Sequence, residues 1–245
     1  MHKEVFATYF ANVVKGHRTI ATFKMSSRPT NCYMRNEKSP QCAKCPLKPC
    51  RSDPEAKKPA FCPMLVYPEI IRESMKEYEN EFVKRIHRSA TLVEKEGYGV
   101  WPRIREVVEL CKRLSIKKMG LAFCVGLSEE ASKVDEVLEA WGLDVYSVAC
   151  KCGSIDKTWL GLEERDKLRP GSHEPMCNPV LQAMLLNHVG TELNVVVGLC
   201  VGHDAIFMRY SKAPVVYLIA KDRATGHNPA APLYSLHYFS KRVLP

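Results

Sequence analysis

Residues 119–149, MGLAFCVGLSEEASKVDEVLEAWGLDVYSVA, carry a short apolar run, an amphipathic stretch and a second apolar run, in that order. Met119–Phe123 is too short for a helix and reads as a buried strand. Ser128 can cap a helix whose apolar face is Val134, Val137, Leu138 and Trp141, closed by Gly142. Val145–Ala149 is the second strand. The alternation continues downstream. Asn178-Pro179 opens a helix closed by Gly190, Asn194–Leu199 is a third strand, Asp204 can cap another helix, and Val215–Ala220 is a fourth strand. Short apolar runs separated by amphipathic helices predict βαβ units and a parallel sheet. The fold class is therefore α/β, a Rossmann-like parallel sheet with flanking helices.

The rest of the chain is fitted around this unit. Ile71, Met75, Tyr78, Phe82, Ile86 and Ala90 recur at helical spacing, which predicts one long helix from Pro68 to near Gly97 or Gly99. A second helix follows Pro102, with Ile104, Val107, Val108 and Cys111 on one face; Cys111 there reads as a core thiol. The last twenty residues, with Pro229, Pro232 and several aromatics, read as a tail over the sheet. Residues 69–245 thus form an α/β domain. Phe123-Cys-Val-Gly-Leu-Ser128 echoes Leu199-Cys-Val-Gly-His-Asp204, which suggests two βαβ-like halves.

The first quarter differs in texture. Residues 1–68 hold 12 Lys/Arg against 4 Asp/Glu, and the rest hold 24 against 23, so nearly all of the +9 net charge lies at this end. Residues 1–41 read as a basic extension. Residues 42–68 contain six prolines and four cysteines, a composition that supports neither a long helix nor a central strand. Cys42 and Cys45 form a C-x2-C pair, and Cys50 and Cys62 can complete four thiolates. Zinc and iron–sulfur clusters both accept four thiolates, and these residues leave the choice open. Cys32 lies outside the set. The basic arm also admits nucleic acid or another acidic partner, through phosphate or carboxylate contacts.

The chain has 245 residues and eleven cysteines. A domain of this size buries a core without staples. Met1–Arg18 lacks the apolar run of a secretory signal, because Asn12, Lys15 and His17 interrupt it, and no stretch has the ~20 apolar residues of a membrane span. A reducing compartment, the cytoplasm, is the expectation. There, clustered cysteines are metal ligands or redox groups more often than disulfides.

A second cysteine set lies in the α/β domain. Cys124, Cys177 and Cys200 each precede a predicted helix, and Cys150, with Cys152 two residues on, leaves the end of a strand. Helix N-termini favour thiolates, and the loops of an open α/β sheet converge at the carboxyl ends of its strands. Cys124, Cys150, Cys177 and Cys200 are therefore expected to share one metal or redox site, with His203 as a ligand, proton donor or supporting partner and His227 nearby. An iron–sulfur cluster suits several thiolates in one crevice better than zinc does. Gly126 and Gly202 permit tight turns there. No G-K-[ST] follows either glycine and G-x-G-x-x-G is absent, so a nucleotide cofactor has no direct support.

Three motifs carry a family resemblance: Gly198-Leu-Cys-Val-Gly-His-Asp204, Arg169-Pro-Gly-Ser-His-Glu-Pro-Met-Cys-Asn-Pro179 and Lys221-Asp-Arg-Ala-Thr-Gly-His-Asn-Pro229. With them the chain resembles, over roughly residues 42–240, an uncharacterised family of predicted metal-binding proteins found mainly in archaea and anaerobic bacteria. The resemblance implies cysteine-bound metal at Cys42, Cys45, Cys50 and Cys62, and motif cysteines at Cys124, Cys150, Cys177 and Cys200. It implies no reaction. Where that family often has adjacent cysteines, this chain has Cys150-Lys-Cys152. The expected function is a metal-binding protein, zinc or iron–sulfur, with a cysteine-ligated redox or electron-transfer site acting on a small molecule or an electron partner. The alternative is a zinc-stabilised binding or regulatory protein that uses its basic end.

Overall fold

The computed structural model describes residues 40–51 and 53–245. The basic extension up to residue 39, with Cys32, lies outside the described residues, so the partner readings that rest on it have no structural counterpart here. The chain divides into two compact units, one up to Ser74 and one from Met75 onward.

In the first unit, short 3-10 turns at Cys42–Lys44 and Pro49–Arg51 precede a single helical turn at Pro63–Val66. Cys62 is the N-cap of that turn and Pro63 its first residue, a position where the missing N–H costs nothing. The unit ends within helix α1, Pro68–Glu77.

The second unit continues with α2 (Glu81–Gly97), α3 (Arg103–Leu114), β1 (Lys118–Phe123), α4 (Ser128–Ala140), β2 (Asp144–Ala149), α5 (Pro179–Val189), β3 (Leu193–Val197), α6 (His203–Tyr210), β4 (Val215–Ile219) and α7 (Leu236–Val243). The single long helix expected over 68–97 is two helices. Asn80 breaks it: its extended backbone leaves the helical region, and its side chain accepts the amides of Phe82 and Val83 to start α2. In the tail, α7 buries no residue. Among the described residues no helix is long and apolar enough to cross a membrane.

Among the described residues the sheet has the order β2-β1-β3-β4 with every pair parallel. The fold is α/β, as the alternation of runs predicts. β3 is buried along its whole length, the mark of a central strand covered on both faces. From β1 the chain crosses to β2 on one side, whereas β3 and β4 lie on the other. The order therefore reverses between β1 and β3, and the crevice at the carboxyl ends of these strands is where such sheets bind ligands.

Helix ends explain how the loops at that edge are held. Asn178 caps α5 by accepting the amide of Leu181, Pro179 takes the first helical position, and Gly190 ends the helix with φ +78°. Ser128 does not cap α4. Its hydroxyl instead donates to the carbonyl of Val125 at 2.6 Å, and Leu127 precedes the helix with no side-chain cap. Asp204, likewise, is not the cap of α6; Gly202 is, and the Asp204 carboxylate accepts the amides of Gly202 and Ala205 inside the first turn.

Candidate functional site

The backbone locks the cysteine-bearing loops to one another. The Cys124 amide donates to the Val197 carbonyl of β3, the Cys150 amide to Phe123 of β1, and the Asn178 amide, just after Cys177, to the Cys150 carbonyl. Beneath them the buried Gln182 of α5 donates one amide group to the carbonyls of Phe123 (3.2 Å) and Val148 (2.7 Å), tying the ends of β1 and β2. Residues from β1, β2 and the loop before α5 are thus fixed at one place by main-chain bonds and one core side chain.

The side chains converge in turn. The Cys150 and Cys177 sulfurs are 3.8 Å apart, and Cys150 lies close enough to Cys124 to alter its acidity. The amide of Val125 donates to the Cys150 sulfur at 3.4 Å. The Lys221 ammonium, from the loop after β4, donates to the Cys124 sulfur at 3.1 Å. Arg223 donates to the Cys200 sulfur at 3.4 Å. A cleft of about 720 Å³ opens over this group, with Cys124, Cys177, Cys200, His203 and His227 in its wall. Of the four expected cysteines, Cys150 and Cys177 touch, Cys124 is coupled to Cys150, and Cys200 shares the cleft wall with Arg223 as its partner. His203 is in the wall with its Nδ1 buried and without a hydrogen-bond partner among the described residues. Cys152 is exposed and outside the cleft wall.

One thiol between two others separates their acidities. The hydrogen bond from Cys150 pulls Cys124 down to about 4, against the cost of burial, and Lys221 adds to the effect. Cys177 falls to about 5, first through Cys150 and then through the charges of Lys151 and His203. Cys150 moves the other way, because its two sulfur neighbours and its burial disfavour a third thiolate. Cys124 and Cys177 are therefore the more acidic thiols of the three, and Cys150 is the one that keeps its proton longest. Cys111, by contrast, is fully buried in the core and pushed up to about 12 by desolvation, as expected of a packing thiol.

Four basic side chains, Lys151, Lys157, Lys221 and Arg223, line the same cleft against one carboxylate, Glu174. No spacing pattern announces them. Lys221 and Arg223 fall within a motif of the family resemblance, but their contacts with Cys124 and Cys200 span 97 and 23 residues of chain.

The outer wall comes from the irregular stretch between β2 and α5, which contributes Leu160, Leu162 and Leu168. Lys167 staples this stretch: nearly buried, it donates to Asp156, Glu164 (2.6 Å) and the Ser172 carbonyl (3.1 Å). Asp156 also accepts the amides of Thr158 and Glu174, and these bonds, with Lys167, hold it below the ordinary carboxylate range. Its contribution to order is full above the ordinary Asp pKa of about 3.9 and is lost only as pH falls through the lowered value. The Lys167→Met protein is expected to be cut by trypsin at Arg165 faster than wild type, with the sheet still protected. Equal cleavage would show that the staple does not order this wall.

In the first unit, Cys42 and Cys50 are exposed, Cys45 is half-buried and accepts the Lys48 amide at 3.2 Å, and Cys62 is buried. The donors are soft thiols of the kind that hold zinc or iron–sulfur clusters. Among the described residues, though, no group of three or more His, Cys, Asp or Glu side chains is arranged to hold a metal ion.

The fold and cleft define an open α/β protein with a thiol group at its topological switch point. The chain belongs to a family of proteins of unknown function, DUF1847, which matches residues 62–218. It is 38% identical over 201 residues to an uncharacterized protein of Methanocaldococcus jannaschii, MJ0455, covering 82% of this chain and 97% of that one.

Proposed function

We propose that this is a cysteine-based redox protein whose working site is the cleft over Cys124, Cys150 and Cys177, acting on a small molecule or an electron partner. The observation that carries the reading is the Cys150–Cys177 pair, its sulfurs 3.8 Å apart, at a cleft whose wall also holds Cys124 and Cys200, with Cys124 and Cys177 acidified. A thiolate beside a thiol is the arrangement from which disulfides form and reopen. The first unit carries a structural metal, zinc or iron–sulfur, at Cys42, Cys45, Cys50 and Cys62, because a proline-rich stretch with few large apolar residues gains little order from burial.

A second reading of the cleft has one observation in its favour. Two thiolates on a tetrahedral ion with bonds near 2.3 Å lie about 3.8 Å apart, which is also the spacing of Cys150 and Cys177. Cys124, Cys177 and Cys200 would then hold a zinc or iron–sulfur centre with Cys150, and such a centre would supply the electron transfer.

Protein purified without oxygen separates these readings. Zinc, iron and the visible spectrum are measured for wild type and Cys177→Ser, and each cysteine is mapped after equilibration in glutathione buffers of rising potential. The expected result is a reversible Cys150–Cys177 disulfide, with metal content unchanged by Cys177→Ser and lost with Cys45→Ser. Loss of metal from Cys177→Ser supports the second reading. If Cys124, Cys150 and Cys177 stay reduced throughout and no metal depends on them, both readings of the cleft are wrong.

A further inference from the structure

Resting on the thiol reading above, we propose that Cys177 is the attacking thiolate and Cys150 the resolving thiol of a pair that reduces small, negatively charged disulfides. The roles follow from access. Cys177 is half-buried and forms part of the cleft wall, whereas Cys150 is 2% exposed and lies behind it, its sulfur 3.8 Å from that of Cys177. A disulfide entering the cleft meets Cys177; Cys150 can reach it only after it is attached there.

The steps balance. The Cys177 thiolate attacks one sulfur of the substrate R–S–S–R′, forming a mixed disulfide with R and releasing R′S⁻. Cys150 then gives its proton to the released R′S⁻, an ordinary thiolate and a stronger base than the acidified Cys124. The new Cys150 thiolate attacks the Cys177 sulfur and expels RS⁻, leaving a Cys150–Cys177 disulfide. Two electrons pass from the protein sulfurs to the substrate, and an external thiol returns the pair to its reduced form. The two sulfurs must close from 3.8 Å to about 2.05 Å as the disulfide forms.

The charge of the substrate follows from the wall. With Lys157 paired to Glu174 and Lys221 on Cys124, Lys151 and Arg223 still leave the wall positive against the Cys177 thiolate. A cleft of about 720 Å³ is within the size range that encloses small molecules.

The test uses the reduced full chain without oxygen and two probes: oxidised glutathione, which carries net negative charge, and cystamine, which is positive. Oxidised glutathione should give a Cys150–Cys177 disulfide in wild type and stop at a mixed disulfide on Cys177 in Cys150→Ser. It should give neither product in Cys177→Ser. Cys150→Ala repeats the trapping without a buried hydroxyl, should the serine variant fold poorly. Relative to their rates with free cysteine, oxidised glutathione should outpace cystamine by at least about tenfold at low salt. That margin should narrow as salt screens the wall. An adduct on Cys124 or Cys200 in the Cys150 variants, or a preference for cystamine, overturns the assignment while leaving the cleft a redox site. Absence of any cleft oxidation by either probe removes the redox reading itself.

Discussion

Alkylation of Cys177 by iodoacetamide is expected to be nearly independent of pH between 8 and 6, and to fall only as pH drops through about 5. Free cysteine, with a pKa of about 8.5, loses roughly 75-fold of its thiolate over the same interval. The slope is the signature, and the rate at neutral pH is not. At pH 7 an acidified thiol gains about thirtyfold in thiolate fraction. It loses a similar factor in intrinsic nucleophilicity, because that falls with a Brønsted slope of about 0.4–0.5. Below neutrality only the first factor keeps changing for an ordinary thiol, so the two curves separate. The sign is fixed by the direction of the shift: a lowered thiol pKa keeps the reactive form present to lower pH. Removing the first cause of that shift, in Cys150→Ala, should move the break upward, and Lys151→Met should move it upward by less. Site-resolved alkylation followed by peptide mapping checks this. A wild-type Cys177 profile that parallels free cysteine would show that the contact with Cys150 does not acidify it.

The parts of this site that follow local rules can be read from the chain. Strand runs, the Asn178-Pro179 start and Gly190 stop of α5, and the position of each cysteine at a strand end depend on residues a few positions apart. So does the parallel arrangement, since a helix between two short apolar runs returns the chain in the same direction. The failures share one cause. Ser128 and Asp204 have the composition of caps, but their neighbours at Val125 and Gly202 offered other bonds. Asn80 interrupts an apolar spacing that runs straight through it, because periodicity does not register where the backbone leaves the helix. The cations of the cleft are the largest omission. Lys221 meets Cys124 only because β4 and β1 end at the same edge of one sheet, and Lys157 acts within a loop that has no periodicity to read. Strand-end cysteines can be found in a sequence; what acidifies them depends on which distant loops the topology brings alongside.

Gly198 joins that topology to the site, and its replacement is expected to have the largest effect on stability of any single change at this edge. It follows β3 directly, with φ +66°, and a Cβ there would lie 2.5 Å from Cδ2 and 3.0 Å from Cδ1 of Leu127. Carbon atoms pack at about 3.5–4.0 Å, and Leu127 has no slack to give: it is 1% exposed, and its amide is bonded to the Cys124 carbonyl at 2.8 Å. Two costs therefore add. The left-handed backbone costs an L-residue about 1–2 kcal/mol, and forcing a methyl into a filled core costs about 1–3 kcal/mol more. Gly198→Ala should lose about 2–5 kcal/mol on this reckoning, a large share of the roughly 5–15 kcal/mol that holds a domain together. Gly190→Ala isolates the first cost, because its φ is +78° and nothing lies within 4 Å of its missing Cβ. Urea unfolding of the two variants should differ by the packing cost alone, with unchanged slope. Part of the strain in Gly198→Ala can be relieved only by moving Leu127, and with it the turn that holds Cys124 against Lys221 and Cys150. The folded fraction of that variant should accordingly show a Cys177 alkylation profile shifted toward free cysteine, while Gly190→Ala retains the wild-type profile. Equal urea midpoints for the two alanine variants would mean that the close approach of β3 to Leu127 does not constrain this edge of the sheet.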